Sequence, residues 1–442
     1  MAMVVKNNIP AKNTLNQLDK NDKALAKSLK KISSGMKINS AADDASGFSI
    51  SEKMRVQVRG LEQDIDNAQT GVSMMKVAEG GLQSTIDILS TLKEKVINAA
   101  NDTNTDADRA TIQKELNQAV DQLDDNANVQ YNGKAMLDGS HNNSVISPGT
   151  QTFLVNESLA PSTSLNTRIT SLKDFAGRSL GILSDSSIEF SYVIQGKTYT
   201  TTLSPVLRQK LNEMFNNSVD EDGNPPQSSH INMDYSNTFG PNRIGENQTT
   251  TDGNDALIFY AGTPGLDGQI SGLTINVVNK DGTINRTANA VLNNFTEAIQ
   301  AENESPDNAL VFQVGTKANQ AVKIGFSDMR SMALGLKATD GSTLSIATQK
   351  KANAAISVLD LAMEKALKMQ TTIGAMESRM DFTMSNLTTA SENTQATESV
   401  IRDADMAKEM TGYTKNNVLM QASQSMLAQA NQSSSSVLSL LQ

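Results

Sequence analysis

The chain has 442 residues, a net charge of −10, no Cys, no Trp, and only 11 Phe and 6 Tyr. Its acidic balance argues against nucleic acid as a general partner, and the lack of Cys excludes a disulfide framework, a thiolate metal site and a Cys nucleophile. Its length corresponds to about three domains, and the scarcity of aromatic residues predicts thin helical layers.

No window of about 18 apolar residues exists, so no segment is expected to insert into a membrane. The segment Met1–Pro10 lacks the apolar run and the small-residue cleavage site of a secretory signal. Composition alone therefore predicts a soluble cytoplasmic protein.

Residues 1–40 carry eight Lys and two Asp, a local net charge of +6. Five apolar residues in this stretch follow a heptad spacing: Leu15, Leu18, Leu25, Leu29 and Ile32. The spacing predicts an amphipathic helix that ends at Gly35, which can adopt the left-handed cap conformation. Because the stripe is narrow and has no aromatic anchor, a solvated lysine face is favoured over a membrane-surface helix.

Two adjacent carboxylates, Asp43 and Asp44, follow this helix. Paired carboxylates are used in acid–base chemistry, but no His, metal-ligand set or nucleophile is close in sequence. We therefore interpret the pair as a helix cap.

The strongest periodicity lies in two long segments that are far apart in the chain. The first has apolar residues at alternating steps of four and three, with polar exceptions at Glu79 and Lys93: Met54, Val58, Leu61, Ile65, Ala68, Val72, Met75, Glu79, Leu82, Ile86, Leu89, Lys93 and Val96. The second begins 260 residues after Val96: Ile356, Leu359, Met363, Ala366, Gln370, Ile373, Glu377, Met380, Met384 and Leu387. These heptad seams predict long helices that need partners to bury their stripes.

A third helix is expected around Ile112–Leu123, ending before a turn at Asn132-Gly133. From about residue 140 the periodicity changes to two, and the segment 188–203 reads as a hairpin with a Gln-Gly turn. Strands are also expected at 256–260 and 273–278, and a helix at 290–301. The predicted fold is mainly α, a long antiparallel helical bundle or coiled coil built from both chain termini, with a central α+β insertion.

A search for catalytic chemistry finds no constellation. The two histidines, His141 and His230, lie in polar loops, and neither HExxH nor GxxxxGK[ST] occurs. The acidic segment 220–224 lacks the ligand spacing of a calcium loop. The sequence therefore predicts a protein that is not an enzyme and has no cofactor and no metal site.

Two terminal segments resemble bacterial flagellins. The first, residues 29–81, reads LKKISSGMKINSAADDASGFSISEKMRVQVRGLEQDIDNAQTGVSMMKVAEGG, and the second, residues 398–442, reads ESVIRDADMAKEMTGYTKNNVLMQASQSMLAQANQSSSSVLSLLQ. Residues 312–336 resemble the family's return into the helical region. The resemblance extends over roughly 1–139 and 310–442 and implies a structural subunit that polymerises into the flagellar filament used for motility.

The resemblance also implies a domain arrangement. Residues 1–42 and 405–442 would form the filament-core coiled coil, 43–168 and 309–404 a helical bundle with a β-hairpin, and 169–308 a variable outer α+β domain. The expected polymerisation residues are the five apolar residues of the first helix together with four near the C-terminus: Met420, Leu427, Val437 and Leu441.

Partners and location follow from the same resemblance. The chain would bind copies of itself, the type III flagellar export apparatus, an export chaperone, and cap and junction proteins. It would be extracellular, in the bacterial flagellum, after secretion without a cleaved signal peptide. The alternatives are a hook–filament junction protein, an enzyme displayed on a filament, and an adhesive or glycan-bearing insertion.

Flagellins are also recognised by host Toll-like receptor 5. Matched to that pattern, Leu89, Glu94 and Glu115 agree with the family, whereas Thr91 replaces an Arg and Lys95 replaces a Leu. Threonine cannot supply the forked donors of Arg, and a charged Lys disfavours an apolar contact. The resemblance therefore implies weak receptor activation.

Overall fold

The computed structural model describes residues 8–213 and 230–439. Within them, the helices are α1 (Ile9–Ser34), α2 (Ala45–Ala99), α3 (Asp106–Ala127), α4 (Arg286–Leu292), α5 (Gln349–Arg402) and α6 (Met406–Ser439). The strands are β1 (Gln130–Tyr131), β2 (Lys134–Ala135), β3 (Val145–Thr150), β4 (Phe153–Asn156), β5 (Ser187–Ile194), β6 (Lys197–Leu203), β7 (Ile231–Ser236), β8 (Thr238–Pro241), β9 (Asn247–Thr249), β10 (Ala256–Ala261), β11 (Ile270–Val278), β12 (Thr296–Ile299), β13 (Glu302–Ser305), β14 (Leu310–Gln313) and β15 (Ala321–Ile324). The predicted fold class is confirmed.

The chain forms two compact units. Unit 1 consists of Met1–Ala68, Gln313–Gln320 and Phe382–Gln442, and unit 2 of Gln69–Phe312 and Ala321–Asp381. Helices α2 and α5 each contribute residues to both units.

Local sequence signals place the helix ends as expected. The Asn8 side chain accepts a hydrogen bond from the Ala11 amide (3.0 Å), and Gly35 ends α1 with φ of 70°. Asp44 accepts from the amides of Ser46 and Gly47, so the capping interpretation is confirmed for Asp44. It is wrong for Asp43, which accepts from amides that precede α2.

Asp43 has a related local role. It accepts from the amides of Asn39 and Ser40 and pairs with Lys27 at 3.0 Å. The hydrogen bond from Lys27 is the main reason that the pKa of Asp43 is lowered to about 2. This carboxylate therefore ties the segment before α2 to α1.

In unit 2, α2, α3 and α5 form an antiparallel layer. Lys93 of α2 pairs with Asp360 of α5 at 2.5 Å, and Gln370 donates to Gln83 at 3.0 Å. On the other side of α2, Arg109 of α3 donates to the Ala99 carbonyl at 2.9 Å.

The buried stripes of α2 and α5 differ from the predicted seams. At every second seam position, the buried residue lies one place before the predicted one. In α2, Leu61, Ala68, Met75, Leu82, Leu89 and Val96 are buried as expected, but their heptad partners are Asp64, Gly71, Ala78, Thr85, Leu92 and Ala99. In α5, Leu359, Ala366, Ile373 and Met380 are buried with Ala355, Ala362 and Met369.

The predicted seam positions Ile65, Glu79, Ile86, Lys93, Ile356, Met363, Gln370 and Glu377 are only half-buried. Small residues replace several of them because the helices approach closely. At Gly71, an added Cβ would lie 2.7 Å from Met380 Cε and 3.1 Å from the Phe312 ring. A prediction that prefers the larger apolar residue therefore selects the residue next to the buried one.

The insertion contains two main sheets, with strand orders β12-β4-β10-β7 and β11-β5-β6. The expected hairpin is present as β5 and β6, and its turn residues Gln195 and Gly196 have φ of 50° and 71°. Phe190 of one sheet and Phe259 of the other lie in one buried core, with ring centroids 5.6 Å apart.

Two features of the insertion differ from the expectation. Strands β3 and β4 precede residue 169, yet they pair with β13 and with β10 and β12, so the expected boundary between 168 and 169 divides paired strands. The expected helix 290–301 is wrong beyond Leu292, where α4 ends, and β12 forms at 296–299. Asn293 explains this change. Its side chain accepts a hydrogen bond from the Ile275 amide and donates one to the Ile275 carbonyl, so the chain after α4 is held beside β11.

A buried ion pair joins this insertion to α5. Lys365 Nζ lies 3.3 Å from a Glu297 carboxylate oxygen, and their side chains are 7% and 2% exposed. Neither Glu297 oxygen is aligned for a hydrogen bond. Burial raises the pKa of the Glu297 carboxyl, and the charge of Lys365 offsets only part of this effect.

Replacement of Lys365→Met should leave Glu297 buried without a counter-charge and lower the free energy of unfolding by about 3–5 kcal/mol. The double variant Lys365→Met/Glu297→Met should recover most of this loss, because an apolar pair carries no desolvation cost. Urea unfolding measures both values. Lys114→Met, at an exposed position of α3, is the control; a Lys365→Met variant no less stable than this control would contradict the prediction.

Candidate assembly surfaces

The terminal helices α1 and α6 pack against each other in antiparallel orientation. Their polar contacts step regularly along the pair: Asn8 to the Ala430 carbonyl (3.2 Å), Asn21 to Ser423 (2.8 Å), Asn416 to Ser28 (3.3 Å), and Lys31 to Glu409 (3.0 Å). This pair brings together both ends of the sequence within unit 1.

The most deeply buried residues of this helix pair are polar. Asn21, Ser28 and Ser423 are its buried residues, at 8%, 9% and 8% exposure. Leu18, Leu25, Ile32, Met420 and Leu427 are half-buried beside them. A seam with buried amides and hydroxyls is less stable than an apolar one but restricts the alignments available to the helices.

Two of the predicted polymerisation residues are not in this seam. Leu15 and Leu29 are 47% and 54% exposed, because Thr14 and Ser28 take the positions facing α6. The side chain of Val437 and residue Leu441 lie outside the described part of the chain. Sequence reasoning missed Asn21 and Ser28 because it ranked residues by apolar character; their heptad spacing from each other was the available signal.

Several apolar side chains of the pair face solvent. On α6 they are Met406, Met410, Val418, Leu419 and Met426, each between 41% and 62% exposed. Together with Leu15 and Leu29, they present apolar surface on both helices. These exposed apolar side chains are a candidate contact surface for another molecule.

A second surface lies between α2 and α3. It is a groove of about 230 Å³ whose lining includes Ile88, Leu92, Thr91, Lys95 and Glu115. Lys95 Nζ lies 3.0 Å from a Glu115 carboxylate oxygen, and Thr91 donates to the Asp87 carbonyl of its own helix. Three of the expected receptor residues, Thr91, Lys95 and Glu115, therefore lie together.

The remaining two expected receptor residues differ from each other. Glu94 is exposed, whereas Leu89 is fully buried in the helical layer. The expectation that Leu89 contacts a receptor is therefore wrong for this conformation, since its side chain packs inside the protein.

Within residues 8–213 and 230–439, no group of three or more His, Cys, Asp or Glu could hold a metal ion. His141 contacts the Asn308 carbonyl at 3.2 Å, and His230 packs on the Tyr199 ring at 5.8 Å. Burial lowers the pKa of His230. None of the helices described here has an apolar stretch long enough for a membrane crossing.

Comparison with protein families gives two matches. Residues 5–142 match the bacterial flagellin N-terminal helical region, and residues 356–441 match the bacterial flagellin C-terminal helical region.

Whole-length relatives agree with these matches. A flagellin of Clostridium tyrobutyricum is 32% identical, with 97% of this chain and 99% of the relative covered. A flagellin of Bacillus subtilis (strain 168) is 28% identical, with 99% and 100% covered. Among solved structures, a flagellar hook associated protein-3 from Legionella pneumophila is 17% identical with a TM-score of 0.32, covering 78% of this chain and 97% of that protein.

Replacement of Asn21→Leu should strengthen the α1–α6 pair, because an apolar side chain would occupy a buried seam position. Asn21→Ala should weaken the pair by about 1 kcal/mol through loss of the hydrogen bonds to Ser423 and Leu419. Amide hydrogen exchange over residues 9–34 measures both effects, with the exposed change Asn13→Ala as control. Faster exchange in Asn21→Leu than in the unmodified chain would contradict this account of the seam.

Proposed function

Because this chain belongs to the bacterial flagellin family and is a subunit of the flagellar filament used for motility, we propose that it polymerises through its terminal helix pair. The observation that supports this proposal is the apolar surface of α1 and α6. Leu15, Leu29, Met410, Val418 and Met426 are each more than 40% exposed in the single chain.

The proposed driving force is burial of these side chains against other copies. Removing ~1,000 Å² of apolar surface from water contributes on the order of 25 kcal/mol before the costs of association and ordering. The half-buried residues Leu18, Leu25, Ile32, Met420 and Leu427 would hold the pair together, while Leu15 and Leu29 would contact neighbouring subunits. Val437 and Leu441 are proposed as polymerisation residues from the family resemblance alone.

The expected domains are proposed as radial layers of the filament. Residues 1–42 and 405–442 would form its core, 43–168 and 309–404 the surrounding bundle, and 169–308 the outer domain. The pairing of β3 and β4 with later strands changes one boundary of this proposal: residues 145–168 would belong to the outer domain and not to the bundle.

The remaining partners are proposed from family membership. The chain would pass through the type III export apparatus with an export chaperone, without a cleaved signal peptide, and would meet cap and junction proteins at the filament ends. The absence of Cys suits both export and an extracellular location. We propose a purely structural role without enzymatic activity. The relatives of matching length are flagellins, and no observation favours the hook–filament junction protein.

Weak activation of Toll-like receptor 5 is proposed from the groove between α2 and α3. Thr91 and Lys95 lie on its surface, and the Lys95–Glu115 pair places charge across it. Both residues lie outside the buried seam of α2, so receptor recognition could be altered without a change of fold.

The assembly proposal predicts that removal of residues 1–20 or 423–442 abolishes filaments in electron micrographs at polymerising salt. A finer test is Leu15→Glu/Leu29→Glu, which places charges at exposed positions and should prevent assembly while leaving the thermal unfolding of unit 2 unchanged. Asn13→Glu/Asn16→Glu, also at exposed positions of α1, is the matched control. Filaments of normal length from the leucine variant would refute the proposal.

The receptor proposal predicts that Thr91→Arg/Lys95→Leu raises the signal of a Toll-like receptor 5 reporter cell above that of the unmodified chain. The Arg restores forked donors, and the Leu removes a charge from an apolar contact. Lys76→Leu, an exposed change elsewhere on α2, should have no effect. Potency of the unmodified chain equal to that of a strongly stimulating flagellin would overturn it.

A further inference from the structure

In unit 1, the break between α1 and α2 lies beside the break between α5 and α6, and the two together are called the double break. Helix α1 ends at Ser34 and α2 begins at Ala45, while α5 ends at Arg402 and α6 begins at Met406. The backbone joins the two breaks directly: Lys37 donates to the Arg402 carbonyl at 2.7 Å, and Ala404 donates to the Gly35 carbonyl at 2.8 Å. The terminal helix pair is therefore connected to the rest of unit 1 through one double break.

A buried guanidinium occupies this double break. The Arg402 side chain is 8% exposed and donates through one nitrogen to Glu52 at 2.6 Å and to Ser51 at 3.2 Å. The guanidinium carbon of Arg402 lies 5.3 Å from the centre of the Phe48 ring. The hydrogen bond from Arg402 is the main reason that the pKa of Glu52 is lowered.

The network extends back to α5. Ser51 donates to Glu398 at 2.7 Å, one turn before Arg402. Arg402 thus connects the first turns of α2 with the last turn of α5, and its own carbonyl accepts from the segment that follows α1. The side chain of Arg402 therefore holds α5 against α2, and the backbone carbonyl of the same residue holds the segment that leads out of α1.

We propose that Arg402 is a positioning residue for polymerisation: it fixes the direction in which the terminal helix pair leaves the double break. This inference rests on the proposed assembly through α1 and α6. Arg402 itself contacts no other subunit in this account. It acts on Leu15, Leu29 and the exposed α6 residues by fixing where the helices that carry them lie.

The length of the helices makes this direction important. Helix α1 has 26 residues and is about 39 Å long, so a change of about 10° at the break would move its far end by about 7 Å. Apolar contacts require heavy atoms within about 4.5 Å. A small loss of alignment at Arg402 would therefore separate the exposed apolar residues from their partners on another copy.

The chemistry of the site requires Arg. One guanidinium nitrogen donates to Ser51 and Glu52 while the guanidinium carbon lies over the Phe48 ring. A Lys ammonium is a single point charge and cannot occupy both places at once. Arg55 provides a comparison, because it also pairs with Glu52, at 3.2 Å, but its side chain is 48% exposed. An exposed pair of this kind contributes little to alignment.

The test compares Arg402→Lys with Arg55→Lys in the full-length chain. Loss of one hydrogen bond to a charged group should raise the critical concentration for polymerisation about ten-fold in Arg402→Lys. Filaments formed above that concentration should have an altered helical pitch in electron micrographs. Arg55→Lys should match the unmodified chain in both measurements.

A second measurement separates misalignment from unfolding. Since the chain has no Cys, the pair Lys31→Cys/Glu409→Cys, treated with a flexible bis-maleimide linker, can report whether α1 and α6 remain associated. In the unmodified chain the ends of these two side chains, Lys31 Nζ and Glu409 Oε1, lie 3.0 Å apart. In the Arg402→Lys background, the yield of the cross-link should equal that of the parent although assembly is impaired.

Three results would overturn the inference. Arg402→Lys could polymerise with the parent's critical concentration and pitch, Arg55→Lys could be equally impaired, or impaired assembly could coincide with loss of the cross-link, which would indicate a merely structural residue. Failure of the parent chain itself to polymerise would instead refute the proposed assembly function.

Discussion

Close antiparallel packing between helices from opposite ends of the chain is the constraint on which the rest of the structure depends. Lys93 meets Asp360 and Gln83 meets Gln370, so residues separated by more than 260 positions lie side by side. Everything between α3 and α5 must leave this layer and return to it. Because Gly71 and Ala78 of α2 and Ala355 and Ala362 of α5 are buried in it, the helices can approach with little side-chain volume between them.

The α1–α6 pair is also antiparallel, but its buried residues are polar. Its buried positions are Asn21, Ser28 and Ser423, and much of its apolar surface faces outward. Such a pair gains less from its own association than an apolar coiled coil would. The polar seam and the exposed leucines are therefore complementary features of one subunit: the inner face aligns the two helices, and the outer face is available to other copies.

The insertion is held to the helical layer by contacts along α5. Gly272 of β11 lies where an added Cβ would be 2.7 Å from Val358, Thr274 contacts Ser357 at 2.9 Å, and Glu297 is buried against Lys365. A pattern of alternating residues could predict β5, β6 and β10, but it could not predict that Asn293 would end α4 and lead into β12, since that depends on a hydrogen bond to a distant strand.

The sequence by itself determined the end of α1 at Gly35 and the cap of α2 at Asp44, the hairpin with its Gln-Gly turn, the pairing of two distant heptad runs and, through its terminal motifs, the family. These features depend on local capping, on strand alternation and on periodicity, and short segments of the sequence contain all three signals. Only the tertiary structure decided which of two adjacent residues faces a partner, as with Ala78 over Glu79 and Leu92 over Lys93. Neighbouring positions differ by about 100° on a helix, and the distance of approach, set by residues far away in the chain, selects between them.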